Sequence, residues 1–341
     1  MHVGPKADAG RWLSKVETEL ASGSWVDPKS AAADLRTYSR AWLDERTVKG
    51  KPLAPRTRQA YEHSLNAWIL PEVGKEPLSA ITPARVRAWH STTLRATGPT
   101  ATRQAYAVLR AIFNTAVNDD LLARNPCRIV GAGQPNSPER PLLDLEQVQA
   151  LAAAMPEHLR AFVLVTFCAH LRIGEAVALQ YRDVDLDAGT LRVKRQHVEI
   201  KGQGPVTTEP KAASKRLIHL PTQAVEELGA HIDAHPGKAS EYLFKRVNGE
   251  QLRQNHAQGT WSWARRKVPG CENAKVHDLR HAGLTLTAQL GATLAETKRR
   301  TGHASSRAAM IYQHAAASRD RDIAALLSGV SSKVRAVRSV T

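Results

Sequence analysis

The sequence has no long hydrophobic run and few cysteines. Its longest apolar segment, AFVLVTFCAH at 161–170, is too short to cross a bilayer, and the N-terminal MHVGPKADAG lacks the apolar core of a signal peptide. Cys127, Cys168 and Cys271 lie far apart without a CxxC pair, which argues against a disulfide framework. These absences predict a cytoplasmic protein with reduced thiols and no membrane-spanning helix.

Acidic residues are also scarce relative to basic ones. The chain has 32 Asp and Glu against 48 Lys and Arg, which gives a formal net charge of +16. This surplus favours a polyanionic partner, either nucleic acid or an acidic membrane surface. The 341 residues, 42% of them hydrophobic, suffice for two domains with a sizeable core. The P-loop pattern GxxxxGK[ST] is absent, so the sequence predicts no ATP-binding loop of that type.

The chain from about Ala31 to Cys127 is predicted to be helical throughout. In APRTRQAYEHSLNAWILP, apolar residues recur at i, i+4, i+7 and i+8, while Pro55 suits a first helical turn and Pro71 a stop. Thr82 is expected to cap the next helix. Four helices with short connections predict a bundle. Five arginines fall on the polar faces of these helices, where they form either a solvated surface or a surface for a polyanion: Arg56, Arg58, Arg85, Arg87 and Arg103.

The segment GAGQPNSPER, residues 131–140, is rich in Gly, Pro, Asn and Ser and predicts a domain boundary. Asp144 and Gln147 then form a capping-box pattern at the start of a helix. The second half mixes helices with a few short strands, which predicts a helical domain with a small sheet at one edge. The expected elements are a helix at 158–180, a hairpin over 181–200, a strand in KRLIHLP, a helix from Thr222, and helices at about 255–267, 277–290, 293–301 and 305–317.

The stretch VHDLRHAGLT at 276–285 holds two histidines and an arginine within five positions. A zinc hydrolase would need H-E-x-x-H, whereas this segment has Asp278 in place of Glu and puts Arg280 beside the metal. A phosphate site fits better, because His277 and Arg280 share one helical face and a guanidinium fork matches two phosphate oxygens.

Four further motifs accompany this stretch. LRIGE contains Arg172 and Glu175 at helical i, i+3 spacing, and PKAASKR places Lys211 shortly before a strand. TGH contains His303, and IYQH contains Tyr312. Together with HDLRH, in this order, the five motifs resemble those of the tyrosine recombinase family, in particular phage-type integrases. The resemblance covers nearly the whole chain and implies a mainly α fold with a small antiparallel sheet, in which two domains clamp DNA.

The resemblance also implies a division of the chain into domains. Residues 30–130 are similar to a helical, SAM-like core-binding domain, and 142–317 to the catalytic domain, with 131–141 as the linker. Residues 1–29 resemble only the last part of an arm-type DNA-binding domain, or form a leader. Residues 318–341 would be a C-terminal helix and tail. Its apolar stripe packs either on its own domain or on a neighbouring protomer: Ile323, Leu326, Leu327 and Val330.

Four of the residues in these motifs are implied to act on the scissile phosphate, and a fifth to support them. Arg172 and Arg280 would bind it, and His303 would donate a hydrogen bond to it. His277 matches the histidine that contacts the phosphate and assists proton transfer. Glu175 matches an acidic position that supports the two arginines.

The remaining roles concern the bond that breaks. Tyr312 is similar to the family's nucleophile, and Lys211 to the lysine that donates a proton to the leaving 5′ oxygen. Ala212 departs from the Thr or Ser often found beside that lysine. Lys215 and Lys201 lie close enough in sequence to compete for the same role.

The function implied is site-specific DNA recombination through a 3′-phosphotyrosine intermediate, without cofactor or metal. The implied partners are double-stranded DNA and three further copies of the chain, as a homotetramer on paired sites, with room for accessory DNA-bending or directionality proteins. A cytoplasmic, nucleoid-associated location follows. Two alternatives remain: a type IB topoisomerase, which shares this chemistry and relaxes supercoils as a monomer, and a DNA-binding regulator whose site no longer cuts.

Overall fold

The computed structural model describes residues 32–48, 50–134, 142–200, 202–210 and 214–302, together with five positions between Gly10 and Thr18. The chain forms two compact units, residues 1–139 and 140–341, each with its own hydrophobic core. The predicted class, mainly α with small antiparallel sheets, is confirmed. The expected segments at 1–29 and 318–341 and the helix at 305–317 lie outside these ranges, apart from the five early positions.

The first unit is a helical bundle. Asp34 caps the helix that begins at Leu35 by accepting a hydrogen bond from the Thr37 amide at 2.7 Å. Thr82 caps a later helix through the Arg85 amide at 3.2 Å, as predicted. The largest fully buried side chains described in this unit are Trp89, Tyr106 and Phe113. The described helices are α1 (Leu35–Glu45), α2 (Pro55–Ser64), α3 (Leu70–Val73), α4 (Pro83–Thr97) and α5 (Pro99–Asn118).

Two local predictions in the first unit are wrong. Pro71 does not end its helix, because the chain widens into a π-helical turn at Leu65–Ile69 and continues as α3. Proline lacks an N–H and crowds the carbonyl four residues earlier, which the wider turn accommodates. The region is also not helical throughout, since β1 (Thr47–Val48) and β2 (Lys51–Pro52) pair as a small hairpin whose turn includes Gly50 at φ +71°.

The second unit packs its helices around a buried central one. The predicted capping box is present, since Asp144 accepts from the Gln147 amide at 2.7 Å and Gln147 accepts from the Asp144 amide at 3.1 Å. The described helices are α6 (Leu145–Ala154), α7 (Arg160–Cys168), α8 (Ile173–Ala176), α9 (Thr222–Ala234), α10 (Gln254–Ala264), α11 (Val276–Gln289) and α12 (Leu294–Thr301). Helix α7 is the centre, with α6, α9 and α11 against it.

The strands of the second unit form two small antiparallel sheets, whereas a single sheet at one edge was predicted. Strands β3 (Val184–Asp185), β4 (Thr190–Val193) and β7 (Arg216–His219) form one, in that order. Strands β5 (Gln196–Ile200) and β6 (Gly204–Thr208) form the other. The single hairpin predicted over 181–200 is therefore wrong beyond Val193. Glycines 202 and 204, both at positive φ, allow a tight turn, so β5 pairs with the segment that follows it.

The helix predicted over 158–180 is interrupted. Helix α7 ends at Cys168, and His170 adopts a left-handed conformation with φ of +52°. Arg172 is then extended, at ψ 149°, and immediately precedes α8. A left-handed residue ends a helix, and histidine tolerates this conformation better than most non-glycine residues. The break directs the chain so that Arg172 and Glu175 stand at the start of a new helix.

Two helical glycines in this unit are expected to respond oppositely to alanine. A Cβ on Gly283 of α11 would collide with the Phe167 carbonyl oxygen and lie 2.7 Å from His170 Nδ1, whereas one on Gly259 of α10 would have nothing within 4 Å. Gly283→Ala should therefore lower the free energy of unfolding by about 1–3 kcal/mol. Gly259→Ala should raise it by about 0.5–1 kcal/mol, because alanine loses less backbone entropy in a helix. Urea unfolding of both variants measures the two signs; a destabilised Gly259→Ala would contradict the argument.

Candidate active site

Three arginines converge on the buried carboxylate of Glu175. Arg172, at the start of α8, donates from Nη1 to Oε1 at 2.9 Å. Arg216, the first residue of β7, donates from Nη2 to Oε2 at 2.9 Å and from Nη1 to Oε1 at 3.2 Å. Arg280, on α11, has Nη1 3.9 Å from Oε2. One carboxylate thus joins three elements that are far apart in sequence.

Glu175 is ionised in this cluster. Burial alone would raise the pKa of its carboxyl, but the hydrogen bond and charge of Arg216, and then those of Arg172, lower the pKa below its ordinary value. The Arg172 amide also donates to Oε2 at 3.0 Å. The cluster therefore holds three guanidinium charges against one carboxylate charge and keeps a positive excess.

Arg280 is fixed by backbone carbonyl groups as well. Its side chain is almost fully buried, and it donates from Nη1 to the His170 carbonyl and from Nη2 to the Thr301 carbonyl, the latter at 2.8 Å. His277, three residues earlier on α11, is exposed and meets His281 edge to face at a centroid distance of 4.6 Å. The two residues expected to share a phosphate thus differ in burial, with Arg280 inside and His277 at the surface.

His170 is a site residue that the sequence argument missed. Its Nδ1 lies 2.9 Å from the Phe167 carbonyl oxygen, and its Nε2 lies 3.0 Å from the Thr287 hydroxyl. Burial, followed by the charge of Arg300, lowers the pKa of His170 to about 3, so its ring is neutral at physiological pH. Neither composition nor periodicity shows which histidine will adopt a left-handed backbone conformation. The position of His170 in the site could therefore not be predicted from the sequence.

Ser214 and Arg216 were also missed, although both lie in the PKAASKR motif. The buried Ser214 hydroxyl accepts from Arg172 Nη1 at 3.3 Å and donates to the Gly302 carbonyl at 3.1 Å. Gly302 ends α12 in the left-handed conformation, at φ +63°. Ser214 therefore connects three segments by hydrogen bonds: the residues before β7, the start of α8 and the end of α12. Its partner at the end of α12, Gly302, immediately precedes His303.

Three of the predicted site residues, Lys211, His303 and Tyr312, lie outside the described residues, as does Lys201. Lys215 is described, and its ammonium group pairs with Glu209 at 2.7 Å on the surface. The structure therefore brings together Arg172, Arg280 and Glu175, with His277 one helical turn from Arg280.

The five arginines predicted as DNA contacts in the first unit differ in their surroundings. Arg58 binds Asp44, Glu62 and the Leu43 carbonyl, and Arg85 binds Glu76 at 2.7 Å and the Glu72 carbonyl at 2.8 Å. Their guanidinium groups therefore hold their own unit together. The other three lie on α2, α4 and α5, two exposed and the last half-buried: Arg56, Arg87 and Arg103.

Two features are absent from the described ranges. No group of three or more His, Cys, Asp or Glu side chains there could hold a metal ion. Among the same residues, no helix combines the length and the apolar character needed to cross a bilayer.

Comparison with known proteins agrees with the resemblance. Residues 141–319 match the phage integrase family, and residues 35–94 match the N-terminal SAM-like domain of phage integrases. A prophage phiRv2 integrase of Mycobacterium tuberculosis is 39% identical over 334 residues, which is 95% of this chain and 86% of that protein.

Two solved structures share the fold at low identity. The Tn1549 transposon integrase bound to transposon right-end DNA has a TM-score of 0.72 at 17% identity, covering 82% of this chain and 94% of that one. A lambda integrase tetramer bound to a Holliday junction has a TM-score of 0.61 at 16% identity, covering 92% and 88%. The resemblance predicted from the five motifs is confirmed, and the chain belongs to the phage integrase family of tyrosine recombinases.

Proposed function

We propose that this chain is a site-specific DNA recombinase that cuts and rejoins strands through a covalent bond to Tyr312. The observation that carries this proposal is the cluster of Arg172, Arg216 and Arg280 on one buried carboxylate. Its positive excess suits a single phosphodiester, and Arg172, with 35% of its side chain exposed, can reach a ligand. The family membership and the phiRv2 relative, which is named as an integrase, support the same activity.

The cluster would act on the transition state. A phosphodiester gathers further negative charge on its non-bridging oxygens during displacement, so fixed guanidinium groups stabilise that state more than the ground state. Holding Arg280 on two carbonyls and Arg172 on Glu175 before DNA arrives avoids reorganisation during the reaction. This is the physical reason to assign both arginines to the scissile phosphate.

The bond changes balance without an external energy source. The Tyr312 oxygen would bond to phosphorus while its proton passes to His277, and the bond from phosphorus to the 5′ oxygen would break. Lys211 would supply the proton that the leaving oxygen takes up. The 3′-phosphotyrosine retains the energy of the broken ester, so an incoming 5′ hydroxyl can reverse the step without ATP.

A duplex nicked near the cleavage point tests this function, because the short 5′-hydroxyl fragment diffuses away and traps the intermediate. We expect a protein–DNA adduct that survives denaturing electrophoresis and forms equally with EDTA present. DNA binding without an adduct would favour a silent regulator. Relaxation of supercoiled DNA with no need for paired sites would favour a topoisomerase.

DNA binding would depend on both units. We propose that Arg56, Arg87 and Arg103 contact phosphates from the core-binding unit, while Arg58 and Arg85 stabilise that unit through their acidic partners. Affinity should then fall steeply as salt rises, because each phosphate contact releases counterions. The protein would work on nucleoid DNA in the cytoplasm.

The assembly on DNA would be a homotetramer. The solved lambda integrase tetramer on a Holliday junction shares this fold, which supports four copies on paired sites. A groove of about 870 Å³ on the second unit is lined by Leu145, Leu220, Leu286 and Leu290, together with polar residues that include Glu296, Arg299 and Arg300. We propose that it receives the apolar stripe of residues 323–330 from a neighbouring copy, because that stripe needs an apolar partner and follows the catalytic motifs directly.

Leu290→Glu tests the groove. Leu290 is 79% exposed, so the charge should not unfold the unit, yet it would stand where an apolar helix docks. We expect recombination between two sites to fall by at least about tenfold, with adduct formation on a single nicked site unchanged. Val247→Glu, at a position 89% exposed in the same unit, is the control. Equal recombination by the two variants would argue against docking in this groove.

A further inference from the structure

Arg216 lies inside the arginine cluster and is almost as enclosed as Arg280. Its side chain is 3% exposed, against 35% for Arg172. It binds both oxygens of Glu175 in a fork, and among the described residues its buried Nε has no hydrogen-bond partner. Both Nη atoms of Arg216 are thus held by the carboxylate of Glu175, and its influence on the phosphate site would pass through that carboxylate.

Arg216 shares hydrogen-bond acceptors with Arg172 and Arg280, the two arginines that would hold the phosphate. With Arg172 it shares Glu175 Oε1, and it donates to the Ser214 carbonyl at 2.8 Å, while the Ser214 hydroxyl accepts from Arg172. With Arg280 it shares the His170 carbonyl, at 3.5 Å from its own Nη2. Moving Arg216 would therefore disturb the acceptors of both.

We infer that Arg216 is a positioning residue for strand cleavage: it fixes Glu175, and Glu175 and the Ser214 segment in turn orient Arg172 and Arg280 toward the phosphate. This inference rests on the proposed function. Without the two hydrogen bonds from Arg216, the negative charge of Glu175 would be balanced only by Arg172 and Arg280. Both guanidinium groups would then be drawn toward Glu175 and away from the phosphate. A lysine would keep the charge of Arg216, but its single ammonium cannot hold two carboxylate oxygens in the plane of a fork.

A substrate whose scissile phosphate carries no charge distinguishes two roles of Arg216: orienting the phosphate-binding arginines, or only stabilising the fold. In a methylphosphonate, a methyl group replaces one non-bridging oxygen and removes the negative charge at the scissile position. The same bonds change, since the tyrosine oxygen bonds to phosphorus and the 5′ oxygen leaves. Oriented guanidinium groups contribute much less to this neutral reaction, because less charge develops on the remaining oxygen.

Arg216→Lys is therefore compared with wild type on nicked phosphodiester and nicked methylphosphonate duplexes. We expect adduct formation about a hundredfold slower on the phosphodiester, but within about threefold of wild type on the methylphosphonate. DNA affinity should be unchanged. Arg172→Ala gives the reference pattern for lost phosphate contact. Arg195→Lys is the matched control, since Arg195 binds the buried Asp183 in the same unit and should show no loss on either substrate.

Rates are measured well below each variant's melting midpoint. Equal losses on the two substrates would mean that Arg216 only stabilises the fold, and no loss on either would mean that its fork is dispensable; either result overturns the inference. If Arg216→Lys shows no cooperative melting, Glu175→Gln breaks the same contact from the other side and is judged by the same ratio. Failure of the wild type to form any adduct would instead count against the proposed function.

Discussion

Tyr312→Phe is expected to abolish the covalent adduct on a nicked duplex while leaving DNA affinity unchanged. Phenylalanine keeps the ring and its packing but removes the oxygen that would bond to phosphorus, so no slower route through this residue remains. Denaturing electrophoresis of labelled DNA measures the adduct, and a gel-shift assay measures the affinity.

Tyr242→Phe is the control for this result. Tyr242 is half-buried in the second unit, where its ring meets His197 edge to face at 5.1 Å, and its hydroxyl has no role in the proposed reaction. It should form the adduct at the wild-type rate. An adduct that persists in Tyr312→Phe, or disappears in Tyr242→Phe, would mean that the nucleophile has been assigned to the wrong residue.

The second large effect concerns stability. Glu175→Ala should lower the free energy of unfolding by about 3–5 kcal/mol, because it leaves buried guanidinium groups without their carboxylate. Glu199→Ala removes a carboxylate that pairs with Arg253 at 2.7 Å at a site 22% exposed, and should cost about 1 kcal/mol or less. Urea unfolding of both variants gives the comparison. Similar losses would show that the cluster contributes no more than a surface ion pair.

The same cluster predicts how stability depends on acid. The folded-state pKa of Glu175 is lowered, so its contribution is present above its ordinary pKa of 4.5 and is lost as pH falls below it. His170 acts in the same direction, because its pKa of about 3 means that below about pH 6.5 only the unfolded chain takes up its proton. Stability should therefore decline from about pH 6.5 downward, and less steeply in Glu175→Gln below pH 4.5.

Local spacing predicted the contacts that lie close in sequence. Arg172 and Glu175 were placed on one face by their i, i+3 separation, and their hydrogen bond forms across that separation. The caps at Thr82 and Asp144 follow from side chains that bond amides two or three residues away. Such contacts depend on a few neighbouring dihedral angles, so the residue types are sufficient evidence.

Contacts between distant segments were not accessible in this way. Arg216 meets Glu175 across 41 residues, and Arg280 meets the His170 carbonyl across 110. Both depend on the helix break at His170, and the continuous apolar pattern of 158–180 gave no sign of it. The pairing of β5 with β6 was not predicted for a similar reason. The sequence of successive strand-like segments does not determine which of them pair with each other.

The neutral ring of His170 also affects how cleavage kinetics are interpreted. Between about pH 5 and pH 9 the inner layer of the site keeps one charge state, since His170 stays unprotonated, Glu175 stays ionised and the guanidinium groups stay charged. An inflection near neutrality in a pH–rate profile would therefore not come from His170 or Glu175. Because the charges of these buried groups stay constant in this range, a change in rate with pH can be assigned to other groups by substituting them one at a time.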